Sequence, residues 1–200
     1  MCHTQELKLG GNEISDSGLT ALATAVQSGA LASLKSLSLD QCDIGEQGMS
    51  ALAKAITPNK NGKGALPQLK ELHLSYNHIG DVGMQALAGA VSKGALAQLN
   101  HLGLGRNHIG DSGVKALADA VSSGALDNLK ELSLSRNQIS DPGLSALAKA
   151  ITPGPFHFGE GKLHKLKVSW RPTILSPCLE TLHVHSPDSE HLFDVPYAVA

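Results

Sequence analysis

The chain has 200 residues, carries a formal net charge of −2, and is 42% hydrophobic but only 3% aromatic. The small net charge gives no argument for nucleic acid or a membrane as partner, and the composition predicts a core of leucine and alanine. The sequence has no N-terminal apolar signal segment and no apolar run of about 18 residues, so we expect no membrane span. Its three cysteines and the lack of an Asn-x-Ser/Thr acceptor favour a reducing, cytoplasmic setting.

One phrase of the form Leu-x-x-Leu-x-Leu-x-x-Asn/Cys-x-Ile recurs along the chain and predicts a short strand each time. The first copy contains Leu7 and Leu9, and the copies follow at steps of 30 residues, with one step of 35. The Asn/Cys slot holds Asn12, Cys42, Asn77, Asn107 and Asn137. We expect these side chains to be buried and to satisfy backbone groups in the turns, with Cys42 as a structural thiol.

A helix is predicted after each strand, because apolar residues follow at i, i+3, i+4 and i+7. The stripes are Leu19, Leu22, Ala23 and Val26; Met49, Leu52, Ala53 and Ile56; Met84, Leu87, Ala88 and Val91; Val114, Leu117, Ala118 and Val121; Leu144, Leu147, Ala148 and Ile151.

An acidic residue opens each of these helices, and we predict that it caps its own helix as the N-cap residue. These residues are Asp16, Glu46, Asp81, Asp111 and Asp141, and Pro142 then falls at the first helical position of the last helix. A glycine follows at a fixed offset, at Gly18, Gly48, Gly83, Gly113 and Gly143. We expect strand-side backbone to lie too close to these positions for a Cβ.

The repeat pattern decays near the end of the sequence. A sixth strand is predicted at Leu163, Leu166 and Val168, after which Arg171 and Pro172 break the pattern. We therefore predict an array of about six repeats over residues 1–170, the first one truncated, and a degenerate, partly irregular segment over residues 171–200. A single strand–helix unit cannot bury its apolar side, so the units must stack on one another.

The pattern of Leu69–Asp81 and its companions, from Leu7 to about Val168, resembles the ribonuclease-inhibitor-like class of leucine-rich repeats. This class includes ribonuclease inhibitor, the repeat regions of NOD-like receptors and the Ran GTPase-activating protein. The resemblance implies an α/β solenoid shaped as a horseshoe, with a parallel β-sheet on the concave face and helices on the convex face. It does not fix a function by itself.

We expect the concave face to carry the residues that lie between and just after the strand leucines, and we predict a partner-binding surface there. Its candidate residues are Gln41, Glu71, His73, Tyr76, His101, Arg106, Glu131, Arg136, Lys167 and Trp170.

The slot just before the Asn/Cys position holds Gln41, Tyr76, Arg106, Arg136 and Trp170. Tyrosine, arginine and tryptophan are enriched at the hot spots of protein interfaces, which favours this row as the centre of the surface. The same face carries acidic residues toward its N-terminal half and basic residues toward its C-terminal half, a gradient that could orient a partner.

We therefore predict a non-catalytic module that binds a protein partner, rather than nucleic acid or a membrane, as a monomer or as part of a larger chain. No cofactor, catalytic or metal site is expected: the sequence lacks a phosphate-cradling glycine loop, a His-Glu-x-x-His motif and a nucleophile elbow. His183 and His185 have no recognised metal-ligand spacing around them. The resemblance leaves two alternatives open, a GTPase-activating protein of the Ran regulator type and the ligand-sensing repeat region of a larger NOD-like receptor.

Overall fold

Strands and helices alternate in the computed structural model, which describes residues 4–59, 64–151 and 167–169. The strands are β1 (Glu6–Lys8), β2 (Ser36–Ser38), β3 (Glu71–His73), β4 (His101–Gly103), β5 (Glu131–Ser133) and β6 (Lys167–Ser169). The helices are α1 (Ser15–Gln27), α2 (Glu46–Ile56), α3 (Gly80–Val91), α4 (Asp111–Ser122) and α5 (Asp141–Ile151). This order is the one that the two sequence periodicities predict.

All six strands pair in parallel and in chain order, which confirms the predicted α/β solenoid. Equivalent residues of successive repeats face one another, so that Leu37 pairs with Leu72, Leu72 with Leu102, and Leu132 with Val168. These central residues are at most 2% exposed, because their side chains point into the core shared with the helices. The flanking strand residues lie on the opposite side of the sheet, which we call the open face.

Each helix packs on the helix of the next repeat. The predicted apolar stripes are buried in α2, α3 and α4, whereas Leu22 of α1 and Leu144 and Ala148 of α5 are only half-buried. These positions are less covered because the first and last described helices each contact one described helix instead of two.

The Asn/Cys slot forms the predicted ladder of buried hydrogen bonds between repeats. Oδ1 of Asn77 accepts hydrogen bonds from the backbone N–H groups of Cys42 and Ile44, both at 3.0 Å. Its amide nitrogen donates to the carbonyl oxygens of Leu39 at 2.8 Å and Leu74 at 2.9 Å. The side chain thereby satisfies backbone groups of two repeats that the core shields from water.

Cys42 fills the same slot as a buried structural thiol, as predicted. Its Sγ donates to the carbonyl oxygen of Leu9 at 3.2 Å, and burial raises the pKa of the thiol. A raised pKa keeps the sulfur protonated near neutral pH, and a protonated thiol is a poor nucleophile. Asn12 departs from the prediction of burial: it is exposed and donates to Leu9 within its own repeat.

Three of the acidic residues, Asp16, Asp81 and Asp111, cap the helix of the following repeat, so the prediction that they cap their own helices is wrong. Oδ1 of Asp16 accepts a hydrogen bond of 2.7 Å from the N–H of Gly45, the residue before α2. Oδ1 of Asp81 accepts hydrogen bonds from Gly110 at 2.7 Å and from Gly113 at 2.9 Å, at the start of α4. Each aspartate already lies in the first turn of its own helix, where it cannot be the N-cap residue.

The last described helix follows the same rule. Asp111 accepts hydrogen bonds from the N–H groups of Ser140 at 2.8 Å and Gly143 at 3.1 Å, at the start of α5. Helix α5 begins at Asp141, so Pro142 is its second residue rather than its first.

Three of the glycines at the fixed offset, Gly48, Gly113 and Gly143, make room for these carboxylates, and not for strand backbone as we predicted. A Cβ on Gly48 would lie 2.5 Å from Oδ1 of Asp16, and one on Gly113 would lie 2.6 Å from Oδ1 of Asp81. The glycine and the acidic residue of the preceding repeat therefore form one motif at these three junctions, whereas a Cβ on Gly83 would lie 2.8 Å from Cγ2 of Ile79 in its own repeat.

Helix α3 starts differently, because the acidic residue of the preceding repeat is Glu46. Gly80 adopts a φ of 60° and donates its N–H to the carbonyl oxygen of Asn107 at 2.9 Å. Among the described residues no hydrogen bond joins Glu46 to this helix start. Oδ1 of Asn107 is buried without a partner, whereas Oδ1 of Asn137 accepts hydrogen bonds from the N–H groups of Asn107 and Ile109.

The predicted sixth strand is confirmed at Val168, which is buried in β6. Leu163, Leu166 and the predicted degenerate segment 171–200, with His183 and His185, lie outside the described residues, and the division near residue 170 stays a prediction. Within the described ranges no helix is long and apolar enough to cross a membrane. The same ranges contain no group of three or more His, Cys, Asp or Glu side chains that could hold a metal ion.

Candidate partner-binding face

Short strands place the predicted surface residues in rows across the open face, because equivalent residues of the repeats pair directly. The first row holds Glu6, Ser36, Glu71, His101, Glu131 and Lys167. The second row holds Lys8, Ser38, His73, Gly103, Ser133 and Ser169. Four of the predicted site residues, Glu71, His73, His101 and Glu131, therefore come from neighbouring positions of three strands.

Two histidine–carboxylate pairs stand side by side in these rows. Nδ1 of His101 lies 3.0 Å from Oε2 of Glu131, and Nε2 of His73 lies 3.9 Å from Oε2 of Glu71. The two imidazole rings are 4.7 Å apart and tilted by 34°. The carboxylates of the centre of the face thus already have partners within the chain.

A further row lies directly after the strands, in the slot before the Asn/Cys ladder. We call Gln41, Tyr76, Arg106 and Arg136 the edge row. The parallel hydrogen-bond pattern continues there, since the N–H of Tyr76 donates to Gly105 and that of Arg106 donates to Ser135. Adjacent members of the row are therefore separated by about one strand spacing, roughly 4.8 Å.

All four residues of the edge row have a left-handed backbone, with φ between 55° and 60°. The same slot of the first repeat is occupied by Gly11, with a φ of 77°. A left-handed backbone is unfavourable for residues with a Cβ, and each repeat tolerates it because the ladder hydrogen bonds on either side fix the turn.

The edge row contains one ordered pair of side chains. The guanidinium carbon of Arg106 lies 4.8 Å from the centre of the Tyr76 ring, which is a cation–π contact. Tyr76 is 55% exposed, Arg136 is exposed, and Arg106 is half-buried with its Nε shielded from solvent and lacking a hydrogen-bond acceptor. No carboxylate in the described part of the chain forms an ion pair with either arginine.

Three predicted members of the surface are less well defined. Gln41 is exposed at the N-terminal end of the edge row. Lys167 lies in β6, opposite Glu131. Trp170 lies outside the described residues, so its place in the row stays a prediction.

The acidic half of the predicted charge gradient lies beside an open depression of about 350 Å³, lined by Glu6, Lys8, Asp40 and Glu71 among others. These charges are satisfied locally. Nζ of Lys8 lies 3.1 Å from Glu6, and Oδ1 of Asp40 accepts the N–H of Ser75 at 2.7 Å.

Sequence reasoning missed a line of side chains in the slot after the ladder, which contains His78, His108 and Gln138. The rings of the two histidines stack at 5.3 Å with an angle of 11°. His78 lies 3.5 Å from Asp43, and Gln138 lies 3.3 Å from His108. The sequence could have indicated this line, because its residues follow the ladder asparagines directly and therefore recur with the same period.

Comparisons with known proteins agree with this architecture. A family model described as "Leucine Rich repeat" matches residues 2–23, 30–53, 66–88, 98–118 and 126–148, together more than half of the chain. No curated protein matches the sequence. A solved structure described as "Leiomodin-1 Actin-Binding Site 2 (ABS2)" is similar at 16% identity and a TM-score of 0.55, over 76% of this chain and 78% of that chain. At this identity the likeness concerns the fold alone.

Proposed function

This chain belongs to the leucine-rich repeat family, and from that premise we propose that it is a non-catalytic module that binds a protein partner on the open face of its sheet. Solenoids of stacked repeats present an extended surface that they use for binding. We further propose that the repeats are of the ribonuclease-inhibitor-like class, because each described unit between two strands contains a helix of 11 to 13 residues. A cytoplasmic location stays a prediction.

The observation that carries the proposal is the contact between Tyr76 and Arg106. Binding hot spots are enriched in these residue types, and a side chain that is ordered before binding loses less entropy when a partner arrives. The 4.8 Å cation–π contact restrains Arg106 while more than half of the Tyr76 side chain surface stays accessible. Arg136 occupies the equivalent position in the next repeat and so extends this surface beyond Arg106.

The open face is large enough for a specific interface. Six strands at a spacing of roughly 4.8 Å span about 25 Å, which is the width of a standard interface patch of about 800 Å² per partner. The edge row lies along one side of this area, so a partner that covers the strands also meets Tyr76, Arg106 and Arg136.

The test is affinity capture from native lysate followed by quantitative mass spectrometry. The Tyr76→Ala/Arg106→Ala/Arg136→Ala variant is compared with wild type and with Val82→Ala/Lys115→Ala/Lys149→Ala, which removes one exposed apolar and two cationic side chains from helices instead. We expect proteins that wild type and the helix variant capture equally to be lost from the edge-row variant. Circular dichroism shows whether all three chains are folded.

Equal recovery by the three folded chains would overturn the choice of face. The GTPase-activating alternative is separated by a GTP-hydrolysis assay with candidate small GTPases, where acceleration by this chain would replace the proposal of a non-catalytic module. The receptor alternative predicts that the full-length gene product carries further domains.

A further inference from the structure

We infer that the partner docks through an acidic segment, whose carboxylates pair with Arg106 and Arg136 of the edge row. This inference rests on the proposed function and specifies the chemistry of the partner. It starts from a difference on the open face: three carboxylates lie beside donors of the same chain, whereas neither arginine forms an ion pair within the described residues.

The acidic side of this difference is visible in three carboxylates. Asp40 accepts the N–H of Ser75 at 2.7 Å, Glu131 lies 3.0 Å from His101, and Glu71 lies 3.9 Å from His73. Each of these carboxylates therefore lies beside a donor of the same chain.

The two arginines have no carboxylate beside them in the described part of the chain. Arg106 and Arg136 form no ion pair within the described ranges, and the Nε of Arg106 is shielded from solvent without an acceptor. A planar guanidinium group is matched best by a carboxylate, which can accept two parallel hydrogen bonds from it. An incoming carboxylate would therefore supply the ionic partner that neither arginine has within the described ranges.

The floor beside the arginines is built from small residues. Gly103 and Gly105 are buried, and Ser133 and Ser135 are half-buried on the neighbouring strand and its continuation. A Cβ on Gly105 would lie 3.1 Å from Oγ of Ser135, so the chain has no space for a larger side chain there without movement. An extended segment can approach this floor closely, with serine hydroxyl groups as additional donors.

The distribution of charge favours an acidic peptide segment over a nucleic acid. A nucleic acid gains its affinity from many phosphate contacts along a continuous basic surface. Here the edge row presents two adjacent arginines, and the strands beside them carry the carboxylates of Glu71 and Glu131. These carboxylates would repel a long polyanion, whereas a short acidic segment contacts only Arg106 and Arg136.

The test uses fluorescence anisotropy with the full chain and three labelled, end-blocked peptides in which glycine alternates with Glu, Gln or Lys. We expect the Glu peptide to bind, and binding to weaken by about tenfold in Arg106→Gln or in Arg136→Gln. Lys115→Gln and Lys149→Gln, on exposed helix positions, remove the same charge and should change the affinity by less than about twofold. Arg106→Lys keeps the charge but loses the planar fork, so it should fall between wild type and Arg106→Gln.

A second readout locates the contact. The Nε–Hε NMR signal of Arg106, assigned by its loss in Arg106→Lys, should shift when the Glu peptide is added and stay unchanged with the Gln peptide. The inference is overturned if the Glu peptide does not bind, if the Gln peptide binds equally, if the lysine controls lose as much affinity, or if a DNA oligonucleotide binds more tightly with the same arginine dependence.

The capture experiment distinguishes this failure from failure of the proposed function. If the Glu peptide does not bind while capture of lysate partners still depends on the edge row, the proposed binding face stands and the inference of an acidic segment is wrong. If capture is also independent of the edge row, the proposed function itself falls.

Discussion

The carboxylate of Asp81 accepts a hydrogen bond of 2.7 Å from the backbone N–H of Gly110, which lies 29 residues further along the chain. The same carboxylate accepts the N–H of Gly113 at 2.9 Å and the hydroxyl of Ser112 at 2.5 Å. One aspartate in the first turn of α3 therefore satisfies the exposed donors at the start of α4. The cap stabilises the interface between two repeats, the part of a solenoid on which cooperative folding depends.

Replacing Asp81 by alanine should lower the free energy of unfolding by about 1–2 kcal/mol, because the start of α4 loses its cap and the negative charge near its N-terminus. Urea denaturation followed by circular dichroism measures the change. Asp119→Ala is the matched control: it removes an exposed aspartate near the other end of α4 and should leave stability unchanged or slightly raised. Equal destabilisation by the two variants would contradict an inter-repeat cap.

The chemistry of this cap could be predicted from the sequence, but its target could not. Spacing at i, i+3 and i+4 shows which side chains share a face of one helix, and an aspartate near a helix start indicates capping. Whether Asp81 reaches its own helix or the next depends on how far apart two stacked repeats lie, and a one-dimensional pattern does not contain that distance. The strand register was easier to predict, because identical units stacked in order must pair equivalent leucines.

Gly48 and Asp16 should be coupled across the junction between α1 and α2. Gly48→Ala favours the helix by its intrinsic propensity, but its Cβ would lie 2.5 Å from Oδ1 of Asp16, so we expect net destabilisation of about 1–3 kcal/mol. In an Asp16→Ala background the same change should be less harmful, although its Cβ would still lie 3.0 Å from the backbone Cα of residue 16. A double-mutant cycle of unfolding free energies measures this coupling, and additive effects would exclude the proposed contact.

Glu46→Asp should stabilise the chain, which is unusual for a shortened side chain. Glu46, in the first turn of α2, is the acidic residue of the repeat before α3. A Cβ on Gly80, at the start of α3, would lie 2.6 Å from its Oε1. An aspartate could cap α3 as Asp81 caps α4, and we expect a gain of about 1 kcal/mol in the unfolding free energy. A crystal structure of the variant should show Gly80 leaving its φ of 60°. Reduced stability, or an unchanged Gly80, would contradict the prediction.

The position of the edge row could also be predicted from the sequence, because its residues share one slot of the repeat. The contact between Tyr76 and Arg106 could not, since it depends on the rotamers that two side chains adopt on adjacent turns. The same limit applies to His78 and His108: the slot predicts that they are neighbours, but stacking at 5.3 Å follows only from coordinates.

Asn77 and Asn107 occupy the same ladder slot but should differ in their contribution to stability. Oδ1 of Asn77 accepts two backbone hydrogen bonds, whereas Oδ1 of Asn107 accepts none. Asn77→Ala leaves the N–H groups of Cys42 and Ile44 buried without an acceptor, which should cost about 2–4 kcal/mol. Asn107→Ala should cost less by about 1 kcal/mol or more, and chemical denaturation of the two variants measures the difference. Equal losses would contradict the distinction.

The cap formed by Asp111 should make stability depend on pH in the acidic range. The hydroxyl of Ser140 donates to its carboxylate at 2.5 Å, and mainly this bond lowers the pKa of Asp111 in the folded chain. A lowered folded pKa stabilises the fold above the ordinary aspartate pKa of about 3.9, and this stabilisation disappears as the pH falls through the folded pKa. Unfolding free energies measured from neutral pH down to about 2 should therefore fall less in Ser140→Ala than in wild type. Ser145→Ala, at an exposed position of α5, should keep the wild-type profile; parallel curves for wild type and Ser140→Ala would show that the hydroxyl has no such role.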